Sequence, residues 1–215
     1  MCTGACSKVI AVCLYVLALI SIICNIILFF PDFKTEFASN DREDIPMLTP
    51  EVKYMGGVLG GGILVLIPAI HIHLTSAKNC CANRCGMFLS IGFAAIGVLG
   101  AIYSLSIAAV GLSKGPVCFY ETKWQRPFQN SSGGYLDNKN VWDLCELPKH
   151  VVQFNLGLFC TLLAVSCLEI ILCGIQMVNG LFGCCCGTCS GKDVSLGGLK
   201  PNLCQTRTPA IKPHN

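Results

Sequence analysis

The sequence predicts an all-helical membrane protein: a bundle of four transmembrane helices with one small, disulfide-closed second extracellular loop. Three observations carry this. The 215 residues are 53% hydrophobic and 13% charged, with mean hydropathy +0.62, which lies outside the soluble range in the direction of lipid. Four apolar segments each reach the roughly 20 residues that cross a hydrocarbon core of about 30 Å at 1.5 Å per helical residue. Between the third and fourth lies a polar interval, residues 113–150, in which Cys118 and Cys145 bracket the acceptor pattern Asn130-Ser131-Ser132. The net charge of +3 is spread over the ends and loops, so no basic stripe points to nucleic acid.

Taken in order, residues 1–8 form a polar N-terminus and residues 9–30 the first span, which carries no charge. That stretch is longer than the apolar core of a signal peptide, and no small-x-small site follows Phe29-Phe30-Pro31, so it reads as a span rather than a leader. Pro31 ends the helix. Residues 31–53 are a short loop with the charged run Asp41-Arg42-Glu43-Asp44 at its centre and Pro46 and Pro50 near its end.

Residues 54–74 are the second span, with Pro68 inside and two overlapping GxxxG patterns formed by Gly56, Gly57, Gly60 and Gly61. Glycines at that spacing let another helix approach closely, and the expected neighbour is a helix of the same bundle rather than a second copy. His71 and His73, two apart, do not share a helix face and read as interfacial residues rather than metal ligands. A connector at 75–86 leads to the third span, 87–112, rich in Gly, Ala and Ser. After the large loop, 113–150, comes the fourth span, 151–182. The tail, 183–215, has no periodicity beyond its cysteines, and its distal part is expected to be disordered.

The large loop orients the chain. Closing a loop of this length with a Cys118–Cys145 disulfide removes about 3 to 4 kcal/mol of unfolded-state freedom in the chain-entropy picture, which matters where so short a segment has little core. Cystine and sequon both belong to the outer face. Both termini and the 75–86 connector then lie in the cytosol, with 31–53 and 113–150 outside. Lysine and arginine are divided almost equally between the two sides, so the positive-inside rule does not decide.

Of the 17 cysteines, Cys13, Cys24, Cys160, Cys167 and Cys173 fall inside apolar runs and read as small hydrophobes. Nine others cluster at the proposed cytosolic membrane edges: Cys2 and Cys6; Cys80, Cys81 and Cys85; Cys184, Cys185, Cys186 and Cys189. That placement suits S-acylation (palmitoylation), because the acyl chain reaches lipid while the thiol stays accessible. For a chain held by four helices the gain would be lateral sorting rather than anchoring. Zinc and thiol-redox chemistry are weaker readings of the same residues. Only Cys186-Gly187-Thr188-Cys189 has knuckle spacing, and it lacks the strand-helix setting of a redox motif.

Glu169 is the sharpest single residue, an ionisable group well inside the fourth span, where such groups mark sites by default. Counted from the inner ends of the spans at 1.5 Å per residue, Asn25, Tyr103 and Glu169 lie roughly 24, 24 and 20 Å deep. The expectation is one polar layer in which Glu169 faces the interior and hydrogen-bonds Asn25 or Tyr103, holding helices together. The alternative built on the same residue is small-solute or proton-linked transport or sensing. No nucleophile-base set occurs in a recognisable setting, so no catalytic residue, cofactor or metal is expected.

At this point several stretches, in order, carry a resemblance. They are MCTGAC at the start, NIILFFP closing the first span, GGVLGGGILVLIPA in the second, SKGPVC, GYL and VWDLCELPKHVV in the large loop, and ILCGIQMVNGLFG before the cysteine-rich end. Together they resemble the transmembrane-4 L-six family over Met1 to about Cys189. That family is similar to the tetraspanins in outline but distinct, and this loop lacks the tetraspanin Cys-Cys-Gly. The resemblance implies a non-enzymatic, multi-pass glycoprotein in membrane lipid, usually at the cell surface. The plasma membrane is the expected residence, with an endosomal or other internal membrane as the alternative, and a homo-oligomer is a further arrangement of the chain. It also implies assembly with tetraspanins, integrins and other receptors in microdomains that influence adhesion, motility or proliferation. Cys118 and Cys145 match the family's large-loop cysteines. The inner loop is shortened here to NCCANRCG, and Asn155-Leu156-Gly157 is not a sequon, so glycosylation rests on Asn130 alone.

Overall fold

The computed structural model describes residues 3–39, 41, 47–76, 84–129, 135–136 and 139–185. Four helical stretches are long and apolar enough to cross a membrane: Cys6–Leu28, Pro50–Leu74, Phe88–Lys114 and Val151–Phe182. The first belongs to α1 (Thr3–Leu28). A short turn at Pro31–Phe33 and two one-turn helices, α2 (Glu36–Ser39) and α3 (Pro50–Lys53), lead to the second span, completed by a wide-wound segment (Gly56–Leu64) and α4 (Val65–Ser76). The third and fourth spans are α5 (Arg84–Lys114) and α6 (Val151–Cys185).

The helices sort their side chains as lipid demands. On α1 the branched residues Val9, Val12, Val16, Leu19, Ile23 and Ile26 face outward, while Ala11, Leu14, Ala18, Ser21 and Asn25 are buried. Lipid tails are as apolar as the residues they meet, so nothing drives bulky aliphatics inward. Close packing and hydrogen bonds between helices decide the interior instead. One core cluster joins α1, α4, α5 and Cys173 of α6 around Leu14, Val65, Ile72 and Ala101. Another, nearer the disulfide loop, gathers Leu28, Leu48, Val52, Ala108, Phe159 and Leu162.

The second span departs from the single α-helix read at 54–74. Residues Gly56–Leu64 are wound as a π-helix, with i→i+5 hydrogen bonding, entered through Met55 at φ 50. Two local causes are visible. A Cβ at Gly57 would sit 2.6 Å from the Ser21 carbonyl oxygen and one at Gly60 2.5 Å from that of Gly100, so the backbone follows its neighbours rather than its own ideal coil. At the other end Pro68 has no N–H to offer the Leu64 carbonyl, and there the wide winding stops.

The large loop holds more regular structure than its sequence announced. β1 (Cys118–Tyr120) and β2 (Lys123–Gln125) form an antiparallel hairpin with Phe119 opposite Trp124. Its two-residue turn places Glu121 and Thr122 at positive φ, the backbone a right-twisted hairpin requires. These are not the Asn-Gly or Asp-Gly residues that advertise it. Cys118 and Cys145 form the disulfide, and Phe119 also bridges to Leu147. A third core of Phe128, Tyr135, Val151 and Val152 packs around Cys118, over the start of α6.

Candidate functional site

The bundle interior carries hydrogen-bonded polar side chains at successive depths. At the end away from the disulfide loop, Ser7 Oγ donates to Gln176 Oε1 (3.3 Å), Gln176 Nε2 to Ser90 Oγ (3.1 Å) and Asn179 Nδ2 to Ser7 Oγ (2.9 Å), joining α1, α5 and α6. Midway, Ser21 Oγ donates to Glu169 Oε1 at 3.3 Å, and Ser166 Oγ donates to Ser104 Oγ at 2.9 Å. Glu169 is 0% exposed, and its Oε2 has no hydrogen-bond partner among the described residues. The carboxyl lies over Gly61, where a Cβ would be 3.2 Å from Oε2.

Asn25 faces the same interior but has another task. Its Oδ1 accepts from the backbone N–H groups of Gly57 (2.7 Å) and Val58 (3.2 Å). These are among the first donors of a helical segment that has no side-chain cap of its own, and a helix start leaves such donors unsatisfied. In a hydrocarbon setting each unpaired backbone group costs several kcal/mol, so a side chain from α1 caps the second span. Tyr103, part-exposed, donates its hydroxyl to the Tyr54 carbonyl at 2.8 Å.

The layer expected from depth alone is therefore rearranged. Glu169 does face the interior, but its hydrogen bond is to Ser21, while Asn25 and Tyr103 serve the backbone at the break in the second span. Depth counting held the missing signal, since Ser21 lies roughly 18 Å in by the same 1.5 Å rise, closer to Glu169 than Asn25 is. Ser7, Ser90, Ser104, Ser166, Gln176 and Asn179 were not singled out by sequence, because isolated small polar residues in a span carry no periodic signal.

The glycines divide by face. Gly56 and Gly60 press on Ile107 and Gly100 of α5, and Gly57 and Gly61 on Ser21 of α1, so both GxxxG patterns meet helices of the same chain. His71 stacks near Phe93 (4.5 Å between centroids) and His73 near Tyr15 (6.1 Å). Among the described residues no group of three His, Cys, Asp or Glu side chains is placed to hold a metal ion.

At the disulfide-loop end an ion-paired cap joins the two connecting loops. Glu51, 4% exposed, receives Arg126 at both oxygens, Nη1 at 3.2 Å and Nη2 in a closer contact, with Lys114 Nζ 3.7 Å away. Val117 N–H donates to Thr49 Oγ1 at 3.4 Å. Asp41 accepts from the N–H groups of Met47 and Leu48 and pairs with Lys53 at 2.6 Å. Burial works against its charge, but the Lys53 ammonium and the two backbone donors outweigh it and hold the carboxyl below its usual range. Tyr135 donates to the Leu112 carbonyl at 2.6 Å, and burial pushes its phenol up to about 12. Beside the disulfide a cleft of about 250 Å³ is lined by Trp142, Asp143, Glu146, Lys149, His150 and Gln153 among others.

Of the cysteines read as acyl acceptors, Cys6 is exposed on α1, and Cys85, Cys184 and Cys185 lie at the ends of α5 and α6. Cys2, Cys80, Cys81, Cys186 and Cys189 lie outside the described residues, as does Asn130. Cys24 and Cys173 are buried, whereas Cys160 and Cys167 are exposed on the apolar face of α6, so those two face outward rather than packing inside.

The family model described as "L6 membrane protein" matches residues 1–190. The chain is similar to Transmembrane 4 L6 family member 5 of Homo sapiens, 42% identical over 197 residues, covering 89% of this chain and 98% of that protein. It is similar to family member 4 of Rattus norvegicus (40% over 199 residues, 88% and 94%) and to family member 1 of Homo sapiens (39% over 198 residues, 88% and 96%). No solved structure matches the chain.

Proposed function

The chain belongs to the L6 membrane protein family, and from that premise we propose that it is a non-enzymatic organiser of the plasma membrane, associating laterally with tetraspanins, integrins or other receptors. The observation that carries this reading is how the polar interior is used. Ser7, Ser90, Gln176 and Asn179, then Ser21 and Glu169, then Ser104 and Ser166, bond helix to helix, which is how membrane helices adhere. The outward surface is apolar and suited to neighbours in the bilayer. The ion-paired, disulfide-closed cap is a compact recognition surface on one side. In this reading the cap is extracellular and glycosylated at Asn130, and the termini are cytosolic.

The juxtamembrane cysteines complete the proposal as acyl acceptors that sort the protein among membrane domains, each buried methylene adding about 0.8 kcal/mol of lipid affinity. Transport through Glu169 would need a polar passage to that carboxyl, which is fully buried. The test is acyl-exchange labelling of the full chain beside a form with Ser at Cys2, Cys6, Cys80, Cys81, Cys85, Cys184, Cys185, Cys186 and Cys189, with co-purification of surface receptors. Acylation and receptor association lost together support the reading. Unmodified cysteines with unchanged association overturn the sorting role.

A further inference from the structure

Met55 joins two constraints that the sequence keeps apart. Its left-handed backbone, φ 50, is one that a residue with a side chain seldom adopts. One turn before it, Glu51 grips Arg126 of the large loop. Directly after it begins the wide-wound stretch Gly56–Leu64, whose first N–H groups are held by Asn25 of α1. A turn further on, Gly61 lies against the Glu169 carboxyl. The contact points of the cap, at Glu51, and of the buried carboxyl, at Gly61, therefore lie on one continuous stretch of backbone with the wide winding between them.

We propose that Pro50–Leu64 is a two-state coupling element linking the large loop to the polar interior. Wide winding is a local departure from the α-helix, and in an α-helix each residue turns the chain by about 100°. Taking up or releasing one residue of winding thus changes the register of Gly56–Leu64 by about 100° and, through the bend at Met55, displaces the one-turn helix α3 that carries Glu51, away from Arg126. The same change withdraws Gly57 and Val58 from Asn25 and shifts Gly61 beneath Glu169. Glycine at 56, 57, 60, 61 and 62 makes the second winding accessible, since glycine has the widest choice of backbone conformation. The Glu51–Arg126 pair and the Asn25 cap each favour the winding seen here. An event that draws Arg126 away at the loop is then felt inside the membrane.

The experiment is amide hydrogen exchange on the full chain in lipid nanodiscs, read at Gly57 and Val58, at Val117 in the seam between loops, and at Ser90 as a distant reference. Arg126→Ala should speed exchange at Gly57 and Val58 at least fivefold, the lower end of ordinary site-to-site coupling, with Ser90 unchanged. Coupling is reciprocal, so Asn25→Ala should speed Val117 by a similar factor. Glu51→Gln, which keeps the side chain's shape, provides a second route to the same release. Unchanged exchange at Gly57 and Val58 in Arg126→Ala and Glu51→Gln overturns the proposal. So does equal acceleration at Ser90, which would mean general loosening.

Discussion

Replacing Gly60 by alanine tests the packing of the second span with a single methyl group. The added Cβ would lie 2.5 Å from the Gly100 carbonyl oxygen, 2.9 Å from Ser104 N and 3.0 Å from Tyr103 Cδ1. Two of these atoms belong to the α5 backbone and cannot rotate away, so the helices must separate by nearly an ångström to restore ordinary contact. That displacement strains Ser104, which accepts from Ser166 at 2.9 Å. Overpacking of this kind costs about 1–3 kcal/mol, and the rigid partners place Gly60→Ala at about 3. The comparison is Gly157→Ala on α6, where nothing lies within 4 Å and removal of a mid-helix glycine gains about 0.5–1 kcal/mol. The assay is reversible unfolding of both variants in mixed micelles under one denaturant series. Equal stabilities, or a stabilised Gly60→Ala, would refute the close approach of the two helices.

Other expectations follow from single contacts. Ser166→Ala breaks a buried interhelical hydrogen bond and should cost about 0.6 kcal/mol, the average for such bonds in membranes, in the same unfolding assay. Because the folded Asp41 carboxyl is held below its usual range, it contributes stability above its unfolded value of about 3.9. That contribution is lost as pH falls through the lower folded value, and Asp41→Asn should flatten the acid limb in exchange measurements on the 41–53 segment. Tyr135 runs the opposite way. With its phenol near 12, its contribution is complete below about 10 and disappears as pH rises through 12, so Tyr135→Phe should remove one phenol that ionises about two pH units above the ordinary value in an ultraviolet titration. Replacing Cys118 and Cys145 by serine should cost the loop about 3 to 4 kcal/mol, seen as faster proteolysis between residues 118 and 145 in intact membranes.

Much of the architecture is legible along the chain. The four spans are written as long, predominantly apolar runs, and span length is set by bilayer thickness rather than by tertiary contacts. The Cys118–Cys145 bond is legible because only those two cysteines lie in the polar interval. Harder to see is the hairpin at Cys118–Gln125, whose Glu121-Thr122 turn carries no glycine, and the wide winding at Gly56–Leu64, which the same letters would equally allow as a plain helix.

The sequence by itself determined the number of spans, their apolar character, the closed loop between the third and fourth, and the family. Each is a property of a contiguous stretch, and hydropathy or residue order along that stretch is enough to settle it. Tertiary structure alone decided which polar groups meet. It set Ser21 rather than Asn25 against Glu169, gave Asn25 to the backbone of Gly57 and Val58, and brought Glu51 to Arg126, 75 positions away. The reason is geometric. A partner inside a bundle depends on the depth of each helix and its rotation about its own axis, and a rotation of one residue, about 100°, exchanges one partner for another. Here that rotation is set by glycines pressed against neighbouring backbones, a contact that exists only once the helices are side by side.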